Sequence, residues 1–184
     1  MTAEPAKTRD ADDDTVEIRD ATSADASAIA ALYNQGIAER QATFETRPRE
    51  PPEIVAWFEH GLPFLVAQHD DGRVVGFARV TPYSDRPFYA GVGEHTVYVD
   101  GAARGQGLGR HLLDELAAES ERRGLYKLTS RIFTTNAASR AVHRAAGFEE
   151  VGVKRRHGRL DGEGKDCVLF ERLLGEAAED EPHR

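Results

Sequence analysis

The chain has 184 residues, 40% hydrophobic and 30% charged, which suits one globular domain able to bury a core of its own. Its net charge is −8, from 24 Lys+Arg against 32 Asp+Glu, and much of the acidity lies at the two ends; this argues against general nucleic-acid affinity, which needs clustered cations. The single cysteine, Cys167, excludes an intramolecular disulfide. No run approaches the ~20 apolar residues of a membrane span, and the first residues lack the apolar stretch of a secretory signal, so a cytoplasmic location away from membranes is expected.

Residues 1–15, with the charge run Asp12-Asp13-Asp14, read as a disordered acidic tail. Val16-Glu17-Ile18-Arg19 alternates and predicts the first strand. Thr22 with Asp25 three residues on makes a capping-box start, and Ile29, Leu32, Tyr33 and Ile37 then repeat at helical spacing. Ala38 to Glu50 is polar and irregular, with Phe44 isolated inside it. Pro51-Pro52 opens a second helix whose apolar residues, Ile54, Trp57 and Phe58, belong in the core; Gly61 and Pro63 end it. Phe64 to Ala67 and Arg73 to Val80 predict a hairpin about Asp70-Asp71-Gly72. Tyr83 to Gly91 is a loop. Glu94 to Val99 is the fourth strand, with Glu94, Thr96 and Tyr98 on one face.

The stretch that follows, Arg104-Gly105-Gln106-Gly107-Leu108-Gly109, is the most informative. A strand precedes it, and the amphipathic run Leu108, Leu112, Leu113 and Leu116 follows. The first N–H groups of a helix have no internal partner and sit at the positive end of its dipole. Glycines there let the main chain approach a bulky phosphate, so the order strand, glycine-rich turn, helix start makes an anion site. Arg104 can add a charge-assisted contact. The glycine spacing fits neither the dinucleotide fingerprint nor the P-loop.

This helix runs from Gln106 to about Arg123 and stops at Gly124. Tyr126 to Phe133 carries a fifth strand. Asn136 caps a further helix that places Ala141, Val142 and Ala145 inward and ends at Gly147. Phe148 to Lys154 and Asp166 to Leu173 close the domain as two strands around a glycine-rich turn, with Cys167 as a small buried hydrophobe. Residues 175–184 form a second disordered acidic tail, leaving 16–174 as the domain. The seven histidines show no metal-ligand spacing, so no metal is expected, and the G-x-S-x-G elbow of serine hydrolases is absent. The expected fold class is α/β: a mixed sheet of six or seven strands with helices on both faces.

The spacing Arg-x-x-Gly-x-Gly at Arg104, Gly107 and Gly109 resembles the acetyl-CoA pyrophosphate loop of the GNAT superfamily of N-acetyltransferases, and the element order matches that acyl-CoA N-acyltransferase fold. From about Glu17 to Leu173 the chain is similar to the phosphinothricin acetyltransferase subgroup. Those enzymes acetylate the α-amino group of glutamate-like inhibitors, and close relatives act on methionine sulfoximine or arsinothricin. The likeness lies in Gln41 to Pro48, Pro82 to Tyr89, Glu94-His95-Thr96-Val97-Tyr98-Val99, and Asn136 through His143 to Gly147-Phe148. It implies acetyl-CoA as cosubstrate, a small acidic amino acid as substrate, a homodimer, and resistance by detoxification. Two departures bear on the substrate: Ser84 stands where the phosphinothricin enzymes have a lysine, and Gly164 near their tryptophan.

Acetyl transfer to an amine needs a base for the ammonium proton, stabilisation of the oxyanion, and a donor for the leaving thiolate. The resemblance makes Glu94 the base, directly or through one water; a carboxylate in a partly apolar setting takes up a proton more readily. His143 is the expected donor near the sulfur, since imidazole titrates in the useful range. Val97, Tyr98 and Val99 are expected along the pantetheine arm, which pairs with the strand backbone. Arg104, Gly105, Gln106, Gly107, Leu108 and Gly109 are expected at the pyrophosphate, with Asn136 and Ser139 beside the arm. Arg86 and Tyr89 would take the acidic end of the substrate, an arginine fork suiting carboxylate, phosphinate or arsonate oxygens. Arg79 would face the same cavity, and Thr43 and Phe44 would line it, from either subunit. Rival readings are an acetyltransferase for protein or peptide N-termini and a non-catalytic acyl-CoA sensor.

Overall fold

A computed structural model describes residues 15–179. The expected tails therefore lie outside the described residues except at Thr15 and Gly175–Glu179. The second of these corrects the expectation of disorder: Gly175, at φ 55°, turns the chain into one helical turn, α5 (Glu176–Glu179). No described helix is long and apolar enough to cross a membrane.

In chain order the other elements are β1 (Val16–Asp20), α1 (Ala26–Glu39), α2 (Pro51–Val55), β2 (Phe64–His69), β3 (Val74–Pro82), β4 (Val92–Val99), α3 (Leu108–Arg122), β5 (Lys127–Phe133), α4 (Ala137–Ala145), β6 (Glu149–Leu160) and β7 (Glu163–Leu173). The strands form one sheet in the order β1-β2-β3-β4-β5-β7-β6. Every neighbouring pair is antiparallel except β4 and β5. The expected mixed sheet is thus present, with seven strands.

Local chemistry sets the boundaries. At the start of α1 the Thr22 N–H donates to Asp25 (2.8 Å), and Arg19 of β1 pairs with the same carboxylate (2.8 Å). That guanidinium holds the Asp25 carboxyl below its ordinary range. Pro51 sits in the first turn of α2, where its missing N–H costs nothing. The predicted second helix is shorter than expected: after Val55 it tightens to a 3-10 turn over Ala56–His60, which Gly61 ends at φ 62°. The predicted α3 begins two residues late, because Gly107 is left-handed (φ 79°) and serves as its N-cap.

Alternation in the central strands serves both faces. Phe64 and Val66 of β2 and Phe77 of β3 pack under α1 and α2, against Ala26, Ile29, Ala30 and Ile54. Leu65, Ala67, Ala78 and Val80 pack on the other face under α3, against Leu112, Leu113 and Leu116. Trp57 and Phe58 are half-buried against the first cluster, as their spacing predicted. A third, small cluster of Phe133, Leu160 and Cys167 lies beneath Phe44.

Two expectations fail. The inward face of α4 is Val142, His143 and Ala146, while Ala141 and Ala145 are exposed; alanine is apolar enough to read as core yet too small to insist on it. The closing hairpin is longer than predicted on both strands. β6 continues to Leu160, and Asp161 and Gly162 (φ 50° and 85°) make the turn. Arg155 to Arg159 hid this extension, because an exposed edge strand carries no apolar alternation.

Leu113 is 0% exposed between α3 and the sheet. Leu113→Ala is expected to lower the unfolding free energy by about 2–5 kcal/mol, measured by urea denaturation. A loss below about 1 kcal/mol would show that α3 does not pack as described.

Candidate active site

The parallel pair β4–β5 holds for three residue pairs, Val92↔Lys127, Gly93↔Leu128 and Glu94↔Thr129. Beyond Glu94 the two strands part, each keeping its other neighbour, β3 or β7. The opening is a narrow slot of about 50 Å³ lined by Thr96, Val97 and Tyr98 from β4, Ser130 to Phe133 from β5, Asn136, Ser139 and His143 from α4, and Ala42. The β4 backbone edge there is free of strand partners, which suits an added amide-bearing chain.

β4 runs on β3 in continuous register, Gly76↔Val99 to Pro82↔Gly93, so alternation holds along it. Val97 and Val99 pack towards α3, and Tyr98 packs towards α1. Glu94, Thr96 and Tyr98 therefore share the α1 face, as expected. On the opposite face stands the N-terminus of α3. The first N–H returned to the helix is that of His111, to the Gly107 carbonyl (3.1 Å). Leu108, Gly109 and Arg110 thus present N–H groups without intrahelical partners. A Cβ at Gly105 or Gly107 would meet nothing within 4 Å, so the approach is open. Gly109 has a different use: a Cβ there would lie 3.3 Å from Val142 and 3.7 Å from Val99, which is how α3 settles beside α4 and β4. Leu108 contributes its backbone here, since its side chain is core. Gln106 is exposed in the loop.

Arg104 is engaged elsewhere than expected. Its Nε donates to the Val99 carbonyl (3.0 Å), and its fork pairs with Glu39 at the end of α1 (2.9 Å). Asn136 has two tasks: its Oδ1 accepts from the Ser139 N–H (3.0 Å), capping α4, and its Nδ2 donates to the Gln41 carbonyl (3.0 Å). The second bond ties the loop between α1 and α2, residues 40–50, over the slot.

A wider cavity of about 570 Å³ adjoins the slot. Its walls include Tyr83, Ser84, Arg86 and Tyr89 from the β3–β4 loop, Glu94, Lys127, Thr129 and Arg131 from the paired strands, and Lys154, Leu169 and Glu171 from the closing hairpin. Arg131 lines both spaces and pairs with Glu94 where they meet; both hydrogen bonds fall on Glu94 Oε1. The setting of Glu94 is therefore ionic, which corrects the apolar surroundings expected for it.

Of the residues expected at the substrate, Arg86 and Tyr89 line this cavity, with Tyr89 edge-on to Tyr83 at 5.3 Å. Arg79 does not. It shares the Glu94 face through its register with Thr96, but its guanidinium lies 3.8 Å over the Trp57 ring. Burial pushes its pKa down to about 10, and Nη1 has no hydrogen-bond partner among the described residues. Phe44 also turns away: it packs edge-on against Phe133 (4.8 Å) in the third core cluster. Thr43 accepts from the Glu45 N–H (3.1 Å) and faces the Tyr98 hydroxyl. Sequence reasoning missed Arg131, Lys127 and Lys154. The signal for the first two was a pair of cations at even spacing in Lys127-Leu128-Thr129-Ser130-Arg131, on the face opposite Leu128.

His143 is 2% exposed. Its Nδ1 donates to the Ser139 carbonyl (2.7 Å), and its Nε2 lies 3.1 Å from Nε2 of His95, which is buried against Phe148. The Ser139 bond leaves His143 Nε2 as the acceptor, so His95 donates through Nε2. The other hydrogen-bonding neighbour of the His95 ring is the Thr129 backbone. Burial depresses the His143 pKa to about 4, and burial followed by the neighbouring His143 depresses that of His95. This corrects the expectation that His143 titrates near neutrality: it is a neutral imidazole across the physiological range.

The pair makes stability pH-dependent in a defined direction. Above pH 6.5, the ordinary histidine value, folded and unfolded chains both hold neutral imidazole and nothing changes. As pH falls below it, the unfolded chain takes up a proton that buried His143 refuses, until its folded pKa near 4. His143 alone should remove about 3 kcal/mol across that window, and His95 adds to it. Urea midpoints should fall between about pH 6.5 and pH 4.5, and the fall should shrink in His143→Gln. An unchanged slope in that variant would remove the buried-neutral assignment.

The geometry agrees with the relatives of the chain. The model of the acetyltransferase (GNAT) family matches residues 31–148. An L-methionine sulfoximine/L-methionine sulfone acetyltransferase from Pseudomonas paraeruginosa is 37% identical over 161 residues, spanning 84% of this chain and 92% of its own. The structure of a GNAT superfamily phosphinothricin acetyltransferase from Sinorhizobium meliloti, in complex with acetyl-CoA, superposes with a TM-score of 0.84 at 31% identity, covering 92% of this chain and 94% of that one. A ribosomal-protein-alanine N-acetyltransferase from Brucella melitensis superposes with a TM-score of 0.82 at 36% identity, covering 86% and 99%. With its slot between parted strands, its open helix N-terminus and these relatives, the chain belongs to the GNAT family of acetyltransferases.

Proposed function

We propose that the protein transfers the acetyl group of acetyl-CoA to the α-amino group of a small glutamate-like amino acid, such as phosphinothricin, methionine sulfoximine or arsinothricin, and so removes its resemblance to glutamate. The observation that carries this reading is the position of Glu94, the last residue of β4 paired with β5, on the wall of a cavity rimmed by cations and bonded to Arg131, which also lines the slot. Acetyl-CoA supplies an activated thioester and departs as the free thiol, taking up the second proton lost by the amine; the chain supplies the base and the sites that hold both reactants. The free N–H groups of Leu108, Gly109 and Arg110 suit its pyrophosphate, and the unpaired edge of β4 suits its amide-bearing arm.

Glu94 Oε1 is held by Arg131, which leaves Oε2 to take the ammonium proton, directly or through one water. Arg131 thereby acts as a positioning residue for the base. Neutral His143, fixed by Ser139 and His95, keeps the floor of the slot dry and shaped. The cationic rim binds the acidic groups of the substrate and orients its amine.

The Brucella likeness supports a second reading, acetylation of a protein N-terminus. An N-terminal residue has no free α-carboxylate, so it would leave the cavity's cations without the anion that their arrangement favours. Thiol release from acetyl-CoA against a panel of phosphinothricin, methionine sulfoximine, arsinothricin, glutamate and an N-terminal alanine peptide separates the two. Turnover confined to the peptide would overturn the first reading. On the best amine, Glu94→Gln is expected to lower kcat by about 10²–10⁴-fold. An undiminished kcat across the pH range would remove Glu94 as the base.

A further inference from the structure

The cavity beside Glu94 holds four cations and two carboxylates on its walls. The carboxylates are already matched: Glu94 pairs with Arg131, and Glu171 pairs with Lys127 at 2.7 Å. Arg86 and Lys154 remain, and among the described residues neither forms an ion pair. They come from separate elements, Arg86 from the β3–β4 loop and Lys154 from β6. A chain of net charge −8 has no general need to leave two cations unpaired in one concavity.

The placement of Lys154 follows from the sheet. β5, β7 and β6 lie side by side, and Phe133, Cys167 and Lys154 are in register across them. Leu169 and Glu171 follow Cys167 at even spacing, opposite Arg131 and Thr129. Lys154 therefore shares the face that carries Arg131 and, through β4, Glu94. Its charge is felt inside that group: His157, 3.3 Å from Arg131, is depressed first by desolvation and then by Lys154 and Arg131.

We propose that Lys154 is the specificity-determining residue that receives a second, side-chain anion of the substrate, while Arg86 takes the α-carboxylate. This rests on the acetyltransferase reading above and refines it to a preference for amino acids with an ionised side chain over those with a neutral one. The division follows from donor geometry. A guanidinium fork matches the flat α-carboxylate that every amino acid shares. An ammonium is a point charge with three rotatable donors, indifferent to whether the second acid is planar or tetrahedral. Ser84, on the wall of the same cavity, carries no charge.

Phosphinothricin, whose side chain ends in a phosphinate anion, and methionine sulfone, which is neutral there, isolate the second charge. Both are measured with wild type, Lys154→Gln, Lys154→Arg and Arg86→Gln, by thiol release for kcat/KM and by isothermal titration for Kd. Lys154→Gln should weaken phosphinothricin about tenfold in both readouts and change methionine sulfone less than about twofold. Lys154→Arg should restore most of the loss, and Arg86→Gln should weaken both ligands alike. Equal effects of Lys154→Gln on the two ligands, no effect on either, or no phosphinothricin binding by wild type would overturn the assignment. Binding that follows the expected pattern without thiol release from any amine would instead sink the acetyltransferase reading and leave the anion site standing. Lys154 is solvent-exposed on β6, so these substitutions leave the fold intact.

Discussion

The parting of β4 and β5 after Glu94 is the feature on which the rest of the molecule depends. Two parallel strands that stayed paired would bury their edges in each other and leave no passage through the sheet. Because they separate, one edge of β4 is free, α4 covers the gap from one side, and the loop of residues 40–50 covers it from the other through the Asn136–Gln41 bond. The separation also sorts chemistry by face. Odd residues of β4 look towards α3 and α4, where the helix N-terminus waits for an anion; even residues look towards α1 and the cationic cavity. Glu94 is the last paired residue, and it stands on the cavity face.

Electrostatics inside this frame are local. The chain is acidic as a whole, yet the cavity next to Glu94 is basic, and each acid on its wall is committed to a neighbour. The opposite economy holds beneath the slot. There His95 and His143 are buried with Phe148 and Phe170 around them, and desolvation keeps them neutral. Arg79 shows a third solution, a cation kept charged in a half-buried place by the face of Trp57. The cavity cations, the buried imidazole pair and Arg79 thus meet different fates, set by their surroundings as well as by their types.

Much of the frame was legible in the chain itself. Period-two and period-3.6 patterns place β1 to β5 and α1 to α3, since burial of one face is what produces those periods. The glycine loop was readable because few backbones other than a helix start require glycine at Gly105 and Gly107. Glu94, Thr96 and Tyr98 were assigned to one face, and an unbroken register on β3 keeps them there. What stayed hidden depends on neighbours distant in sequence. Arg131 became a partner for Glu94 only when a parallel strand pair brought 37 residues of separation to contact. The His143 pKa follows from burial, which no helix pattern states. Phe44 and Arg79 have side chains long enough to choose between a cavity and a core, and tertiary packing made the choice.

The closing hairpin explains why its contribution was hardest to read. Between Lys154 and Gly158 three residues of β6 face a single residue of β7, a bulge larger than the usual two-to-one kind. Arg156 sits within it at φ 47°, and its N–H donates to Asp166 Oδ1 (2.7 Å), so the irregularity is pinned rather than frayed. The stem of Arg156 also fills the space above Gly164, where an added Cβ would lie 3.2 Å from its Cγ. A larger side chain at Gly164 would press on Arg156 within the bulge. On one side of the bulge stands Lys154, and on the other His157, in contact with Arg131. Gly164 is thus coupled to the segment that brings Lys154 of β6 to the cavity wall. A bulge is defined by two strands, not one, and single-strand patterns cannot announce it.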